Sequence, residues 1–275
     1  MNDNCCCYVT AFFDIGRSNW NHFNKSFEDY LSHFRPFLSL FSIEKNKNYD
    51  EMIVFIDEKY FLILQKLIIE NKSLIKLIPI NIHFLEENIY SWKQIHRERL
   101  IMDSPYFKKM IDHRKKFPEC NFAEYTIINH SKIDFICYVI EKNLSKKTIF
   151  SWVDFGFFSK IENIPTNLLD VTKFNLDRIN YSLINPINAI DFDINFTLKY
   201  APEKIGGFFF LGTKFKMIEY QKLYHKVLHF FQYIVCFCDD DQHLVLQCYY
   251  RNPNLFNLIT NPLGWHKILK AFQKN

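Results

Sequence analysis

Glycine is scarce in this chain, 6 in 275 residues, and nowhere do glycines form the rich phosphate-cradling loop of a kinase. Cysteine is present but unpatterned. Cys5, Cys6 and Cys7 are consecutive and Cys236 and Cys238 stand two apart, so no disulfide framework or zinc knuckle is spelled, and a reducing cytoplasm is the expected compartment. The triplet reads as small buried hydrophobes on a first strand. No run of about eighteen apolar residues and no secretory leader pattern occurs, so a soluble catalytic part is expected, with room for peripheral attachment at the inner face of a membrane. A formal net charge of +4 comes from 34 basic and 30 acidic residues spread along the chain, without the stripe that marks a nucleic-acid partner. The local run His113 to Lys116 reads as a solvated helix end or loop, ahead of a patch for an anionic lipid surface or a polyanionic acceptor. Repeats, low-complexity tracts and linkers are also lacking, which leaves one compact domain.

What is present is a 48% hydrophobic content, ample for one large core, in alternating strand and helix patterns. Cys7 to Phe13 reads as a buried strand that delivers Asp14, Gly16 and Arg17 into a loop. An amphipathic helix is expected from near Trp20, with Phe23, Phe27, Tyr30 and Leu31 as its stripe. Met52 to Ile56 repeats the strand pattern and ends in Asp57; a helix from Tyr60 to Ile69 and a strand from Ile75 to Ile80 follow. Trp92 to Met110 reads as mainly helical and Ile127 to Glu141 as one helix, preceding the apolar strand Thr148 to Val153. Beyond Asp154 the pattern weakens, then recovers in a strand from Ile205 and a helix from about Phe215 to Phe231. The fold class is α/β: a mixed, mostly parallel sheet flanked by helices.

In such a sheet, ligands bind outside the carboxyl ends of the strands, where Thr10, Asp14, Arg17, Asp57 and Asp154 all fall. Asp154 is the sharpest candidate because an apolar strand ends in this carboxylate and Gly156 then lets backbone approach a ligand. A diphosphate reaches such a carboxylate through Mg²⁺ or Mn²⁺. Three of the glycines fall within Gly206, Gly207 and Gly212, a backbone flush against a sugar ring or a bulged strand. Asp239, Asp240 and Asp241 head a further helix, as caps or as a base for a sugar hydroxyl. Asp191 and Asp193 form a literal Asp-x-Asp and are the internal rival to Asp154.

The segments VTAFFDIGRSNW, EYTIINHSKIDFI, FSWVDFG, DDDQHLVL and NPNLF resemble the HtrL/YibB and WlaTC-like family of bacterial and viral carbohydrate-synthesis proteins. A remoter similarity, in order and spacing, is to GT-A-fold transferases of the blood-group type. The resemblance implies a GT-A-like glycosyltransferase, with residues 1–156 binding a nucleotide sugar, most readily a UDP-sugar, and residues 157–275 an acceptor. The acceptor would be a saccharide or a lipid-linked or protein-linked glycan. Donor residues would be Thr10, Phe12, Asp14, Arg17, Asn129, Lys132, Trp152, Asp154, Gly156, Gly206 and Gly207. Asp240 and Asp241 would be catalytic, Phe208, Asp240 and Gln242 would meet the acceptor, and Asp154 with His266 would hold the metal. Arg97 and Arg99 could add charge at the nucleotide.

One departure is plain: the Asp-x-Asp of such enzymes is Asp154, Phe155, Gly156 here, one carboxylate short. It favours an alternative, a non-catalytic carbohydrate- or nucleotide-binding protein on the same fold. The same three letters spell a kinase metal motif, but Glu98 stands where the catalytic Asp should be and the interval from His96 is too long.

Overall fold

The computed structural model describes residues 5–46, 50–261 and 263–274. Its centre is β1 (Cys6–Phe12), parallel to β2 (Glu51–Asp57) on one side and to β4 (Ile149–Val153) on the other. These strands are buried on both faces, which is why they read as continuous apolar runs. Side chains alternate across the pleat: Cys6 and Tyr8 enter one core, Cys7 and Val9 the other. The cysteine triplet is therefore packing material, buried as expected.

β3 (Ile75–Ile80) extends the parallel side, and the whole sheet runs β3-β2-β1-β4-β6-β5-β7, where β5 is Ile179–Leu183, β6 Ile205–Thr213 and β7 Phe256–Ile259. Only β6 opposes its neighbours, pairing antiparallel with both β4 and β5, while β7 is parallel to β5. This single domain is the mostly parallel mixed α/β sheet expected from the sequence, with helices on both faces.

One face carries α1 (Phe27–Leu40) and α2 (Phe61–Glu70). α1 starts seven residues later than the expected Trp20, because Ser26 and Asp29 form a reciprocal capping box that fixes the first turn there. The chain from Arg17 to Asn19 is a single 3-10 turn. α3 (Ile82–Asn88), α4 (Ile95–Asp103) and α5 (Pro105–Met110) follow; Pro105 opens α5 instead of kinking one long helix.

The expected helix from Ile127 to Glu141 is two, α6 (Ala123–His130) and α7 (Lys132–Glu141), parted at Ser131. The Ser131 hydroxyl donates to the Ile127 carbonyl at 2.7 Å, competing for the acceptor of the turn. α8 (Ile194–Tyr200), α9 (Lys214–Phe230), α10 (Asp241–Arg251) and α11 (Ile268–Ala271) complete the helices. The break at Ser131 matters because it starts α7 at Lys132, beneath the ends of β4 and β6.

Candidate active site

Asp14 leaves the end of β1 into a loop that reverses at Gly16, whose φ of 76° is the left-handed conformation glycine adopts without a Cβ penalty. The Gly16 amide donates to Asp14 Oδ1 at 2.8 Å, and Lys59 Nζ and the Tyr60 hydroxyl donate to Oδ2 at 2.6 and 2.8 Å. Partial burial opposes ionisation of Asp14, but these donors, Lys59 foremost, outweigh it and hold the carboxyl below its usual range. Asp57 accepts the Asp14 amide at 3.2 Å and so ties the ends of β1 and β2. Asp14 is thus a loop-shaping carboxylate that accepts from three protein donors.

At the end of β4, the Asp154 amide donates to the Phe208 carbonyl at 3.0 Å, carrying the β4–β6 ladder one residue beyond the strand. Asp154 Oδ1 accepts from the Trp152 indole at 2.7 Å and lies 3.1 Å from Lys132 Nζ. Lys132 also donates to the Gly207 carbonyl at 2.9 Å and lies 2.9 Å from Asp241 Oδ2. Burial disfavours charge on Lys132, yet Asp154 and Asp241 outweigh it and raise its pKa, so the ammonium is permanent. Gly207 is required by this approach: a Cβ there would sit 2.3 Å from Asp241 Oδ2.

Between these strand ends lies a cavity of about 250 Å³. Of the eleven expected donor residues it is lined by eight: Phe12, Asp14, Arg17, Asn129, Lys132, Trp152, Asp154 and Gly156. Thr10 is fully buried within β1 and does not line it, because it lies two residues short of the strand end that Phe12 forms. Gly206 and Gly207 lie behind it on β6, reached through Lys132. The bulge reading of this segment holds as well, since the β5–β6 register shifts between Tyr181 and Ser182.

The cavity holds residues that pattern reading missed. Lys25 lies 4.5 Å over the Tyr30 ring, and Arg17 donates to the Tyr30 hydroxyl at 2.5 Å and to the Phe23 carbonyl at 2.8 Å. Burial, and next the nearby Arg17, lower the pKa of Lys25. Neither cation has a carboxylate within ion-pair distance among the described residues. Tyr125 forms another wall, with Arg17 5.6 Å from its ring centroid. Tyr125 precedes Asn129 by one helical turn, the spacing that could have revealed it.

The acidic triplet divides its labour. Asp240 caps α10 through the Gln242 amide at 3.1 Å, and Asp241 meets Lys132. Asp239 is fully buried and receives Arg114 at 3.0 and 2.7 Å. Arg114, expected in a solvated run, is only 4% exposed. His243 Nδ1 lies 3.0 Å from Asp239 Oδ2 and 3.4 Å from Asp240 Oδ1. Burial opposes its charge, but Asp239 lifts the imidazole to about 9. Asp239 itself is held below the usual range against its burial by His243 and Arg114. Burial, together with Asp239 and Asp241, pushes Asp240 up against the pull of His243.

Asp239, Asp240 and His243 offer ligand atoms within 4.8 Å of one another, close enough to hold an ion. Both Asp239 oxygens already accept from Arg114, so an ion would compete with a guanidinium there. His266 lies in the turn Trp265–Lys267 beside Gly264, outside the cavity lining that contains Asp154. Asp191 and Asp193 are helix caps: Asp191 boxes with Asn188 and pairs with Lys204 at 3.0 Å, and Asp193 accepts the Phe196 amide. Arg97 serves the Gln232 carbonyl and Arg99 pairs with Glu124, both away from the cavity. No described helix is long and apolar enough to cross a membrane.

Two solved structures resemble the chain over most of its length. Mouse xyloside xylosyltransferase 1, in its apo form, aligns with a TM-score of 0.45 at 11% identity, over 93% of this chain and 84% of the other. The 4-diphosphocytidyl-2C-methyl-D-erythritolsynthase of Anaerococcus prevotii DSM 20548 aligns with a TM-score of 0.38 at 10% identity, over 99% and 92%. By sequence the chain is 29% identical over 283 residues to Protein HtrL of Escherichia coli (strain K12), covering 97% of this chain and 92% of that one. The model of the family described as "Bacterial protein of unknown function (HtrL_YibB)" matches residues 5–274. The chain therefore belongs to the HtrL/YibB family.

Proposed function

We propose that the protein is a glycosyltransferase that moves a sugar from a nucleotide-sugar donor, a UDP-sugar in the first instance, to a saccharide or a lipid-linked or protein-linked glycan. The observation that carries this reading is the cavity at the ends of β1 and β4, where Arg17 and Lys25 stand together without carboxylate partners among the described residues. Two half-buried like charges repel; a diphosphate relieves that cost and gains charge-assisted hydrogen bonds. Phe12, Tyr30, Tyr125 and Trp152 give the same cavity apolar walls for a base or a sugar face.

In this reading residues 1–156 hold the donor, since every lining residue lies there. Residues 157–275 supply the acceptor side, with Phe208 and Gln242 contacting the acceptor. The raised carboxyl of Asp240, 21% exposed at the head of α10, suits a general base for the acceptor hydroxyl. Asp241 acts through Lys132, orienting the ammonium toward the departing diphosphate.

Mn²⁺ or Mg²⁺ is the cofactor that the resemblance implies, and it would screen the diphosphate charge as it develops. The residues fit it poorly at the cavity. Asp154 is a single carboxylate whose Oδ1 is already engaged by Trp152 and Lys132, and Asp14 already accepts from Gly16, Lys59 and Tyr60. No step is therefore assigned to a metal.

Calorimetry with UDP and GDP, and turnover of a nucleotide-sugar panel, test the reading. Binding that weakens in Arg17→Ala and Asp154→Ala, with sugar released to an acceptor, is the expected result; no nucleotide binding in any condition would falsify it. A second reading, a binding protein without turnover, is favoured by Gly156, which stands where the second carboxylate of an Asp-x-Asp would be. Tight nucleotide binding with no transfer to any acceptor would select it.

A further inference from the structure

Asp154 at the end of β4 and Asp241 at the start of α10 converge on one cation, the ammonium of Lys132 at the start of α7. Its three protons match three acceptors: Asp154 Oδ1 at 3.1 Å, Asp241 Oδ2 at 2.9 Å and the Gly207 carbonyl at 2.9 Å. The Lys132 side chain is 8% exposed, so the charge is held in a dry environment where its interactions are strong. The same ammonium lines the cavity, together with Arg17 and Lys25.

Two carboxylates meeting beside an anion site need a cation between them, or their mutual repulsion and that of the ligand would disperse the site. A hydrated divalent ion is one solution, held by a pair of carboxylates and phosphate oxygens. Here the position is filled by a side chain anchored in the fold. Asp154 Oδ1 is doubly engaged, by the Trp152 indole and by Lys132. A divalent ion bridging Asp154 Oδ1 and Asp241 Oδ2 would have to displace the ammonium into a pocket that offers it no other carboxylate among the described residues.

We infer that Lys132 is the resident cation of the donor cavity, and that Lys132, Arg17 and Lys25 together neutralise a diphosphate there without a divalent metal. This rests on the reading of the cavity as a nucleotide-sugar site and names its charge mechanism. It also accounts for the missing second carboxylate after Asp154: the acid whose charge completes the set is Asp241, brought in from α10, and the cation it serves is monovalent.

The decisive experiment titrates the full chain with Mn²⁺, following the free ion by electron paramagnetic resonance, and repeats UDP calorimetry in EDTA and in Mn²⁺. Wild type is expected to bind UDP with the same affinity, within about twofold, in both media, and to show no Mn²⁺ uptake that Asp154→Asn removes. Lys132→Met is expected to lose roughly tenfold or more in UDP affinity in EDTA and to acquire an Mn²⁺ site that depends on Asp154. Mn²⁺ uptake lost in His243→Gln but not in Asp154→Asn belongs to the Asp239 group and leaves the inference standing. Wild-type Mn²⁺ binding abolished by Asp154→Asn, or UDP binding only with metal, overturns it. If UDP does not bind at all, the nucleotide reading fails while the Mn²⁺ titration of wild type still decides the cation, and that arm needs no Lys132 variant to fold.

Discussion

Arg114 and Asp239, 125 positions apart in sequence, form a buried two-bond ion pair with donor–acceptor distances of 3.0 and 2.7 Å. Asp239 precedes Asp240 and α10, so the pair fixes the segment that carries Asp241 to Lys132. Removing one partner leaves a buried charge uncompensated. Arg114→Met is expected to destabilise the fold by about 3–5 kcal/mol, read as a lower urea midpoint. Arg114→Met with Asp239→Leu should cost less than the sum of the single changes.

The His243–Asp239 contact predicts a stability profile with a defined sign. The folded imidazole titrates near 9, above its ordinary value, so its contribution is full below about pH 6.5 and is lost as pH rises through about 9. Asp240, with its pKa also raised, adds a loss of the same sign at lower pH. Asp239 runs the other way: its contribution is present above the ordinary carboxylate pKa and is lost as pH falls through its depressed folded value. Groups facing His243 are Asp239, Asp240 and Arg114, the last opposing its charge. Urea midpoints should fall from pH 7 toward pH 10 by the equivalent of roughly 1–3 kcal/mol, and His243→Gln should flatten that alkaline limb.

Gly207 and Gly212 occupy the same strand but carry different loads. A Cβ at Gly207 would meet Asp241 Oδ2 at 2.3 Å, a charged oxygen already committed to Lys132; at Gly212 it would meet the Ile179 Cδ1 at 2.6 Å, the movable end of a side chain. Gly207→Ala is expected to weaken UDP binding by roughly tenfold through the displaced carboxylate. Gly212→Ala should cost stability, on the order of 1–3 kcal/mol, without touching affinity. Equal effects on affinity would show that Gly207 serves the strand alone.

The central strands were legible because burial on both faces leaves an unbroken apolar signal: Ile75–Ile80 is found at the expected bounds, and Glu51–Asp57 contains the expected strand. Helix starts were less legible. The Ser26 capping box decides the start of α1, although Phe23 and Trp20 continue the aromatic run toward the N-terminus; Trp20 instead stacks on Phe122 at 3.8 Å. Of the candidate site, residues at strand ends could be read because the pleat and the sheet topology put them there, as with Asp14 and Asp154. Partners supplied by other elements could not. Nothing in the local sequence around Lys132 says that Asp241 will be its neighbour, and His113 to Lys116 resembles a solvated run until α10 brings Asp239 onto Arg114. Long-range charge pairing has no period, so only the fold discloses it.

Arg17 and Lys25 supply the last prediction, which separates an anion site from a merely basic corner. Arg17 spends its donors on the Phe23 carbonyl and the Tyr30 hydroxyl, and Lys25 contacts His33 Nδ1 at 3.1 Å, so neither is neutralised by a protein carboxylate within ion-pair distance among the described residues. If these charges are placed for a diphosphate, removing either should weaken UDP binding much more than uridine binding, since uridine carries no phosphate. Arg17→Ala is expected to lower UDP affinity by roughly 10- to 100-fold, and Lys25→Ala by about tenfold. Raising the salt concentration should weaken wild-type UDP binding, and the dependence should be shallower in each variant, because fewer charges remain to be screened. Lys25→Ala should leave the urea midpoint unchanged or raise it, since it removes a like-charge repulsion from the unliganded protein, whereas Arg17→Ala also loses the bonds to Phe23 and Tyr30 and should lower it. Parallel loss of UDP and uridine affinity would instead assign both side chains to the walls of the base pocket, through the Tyr30 and Tyr125 rings that they cover.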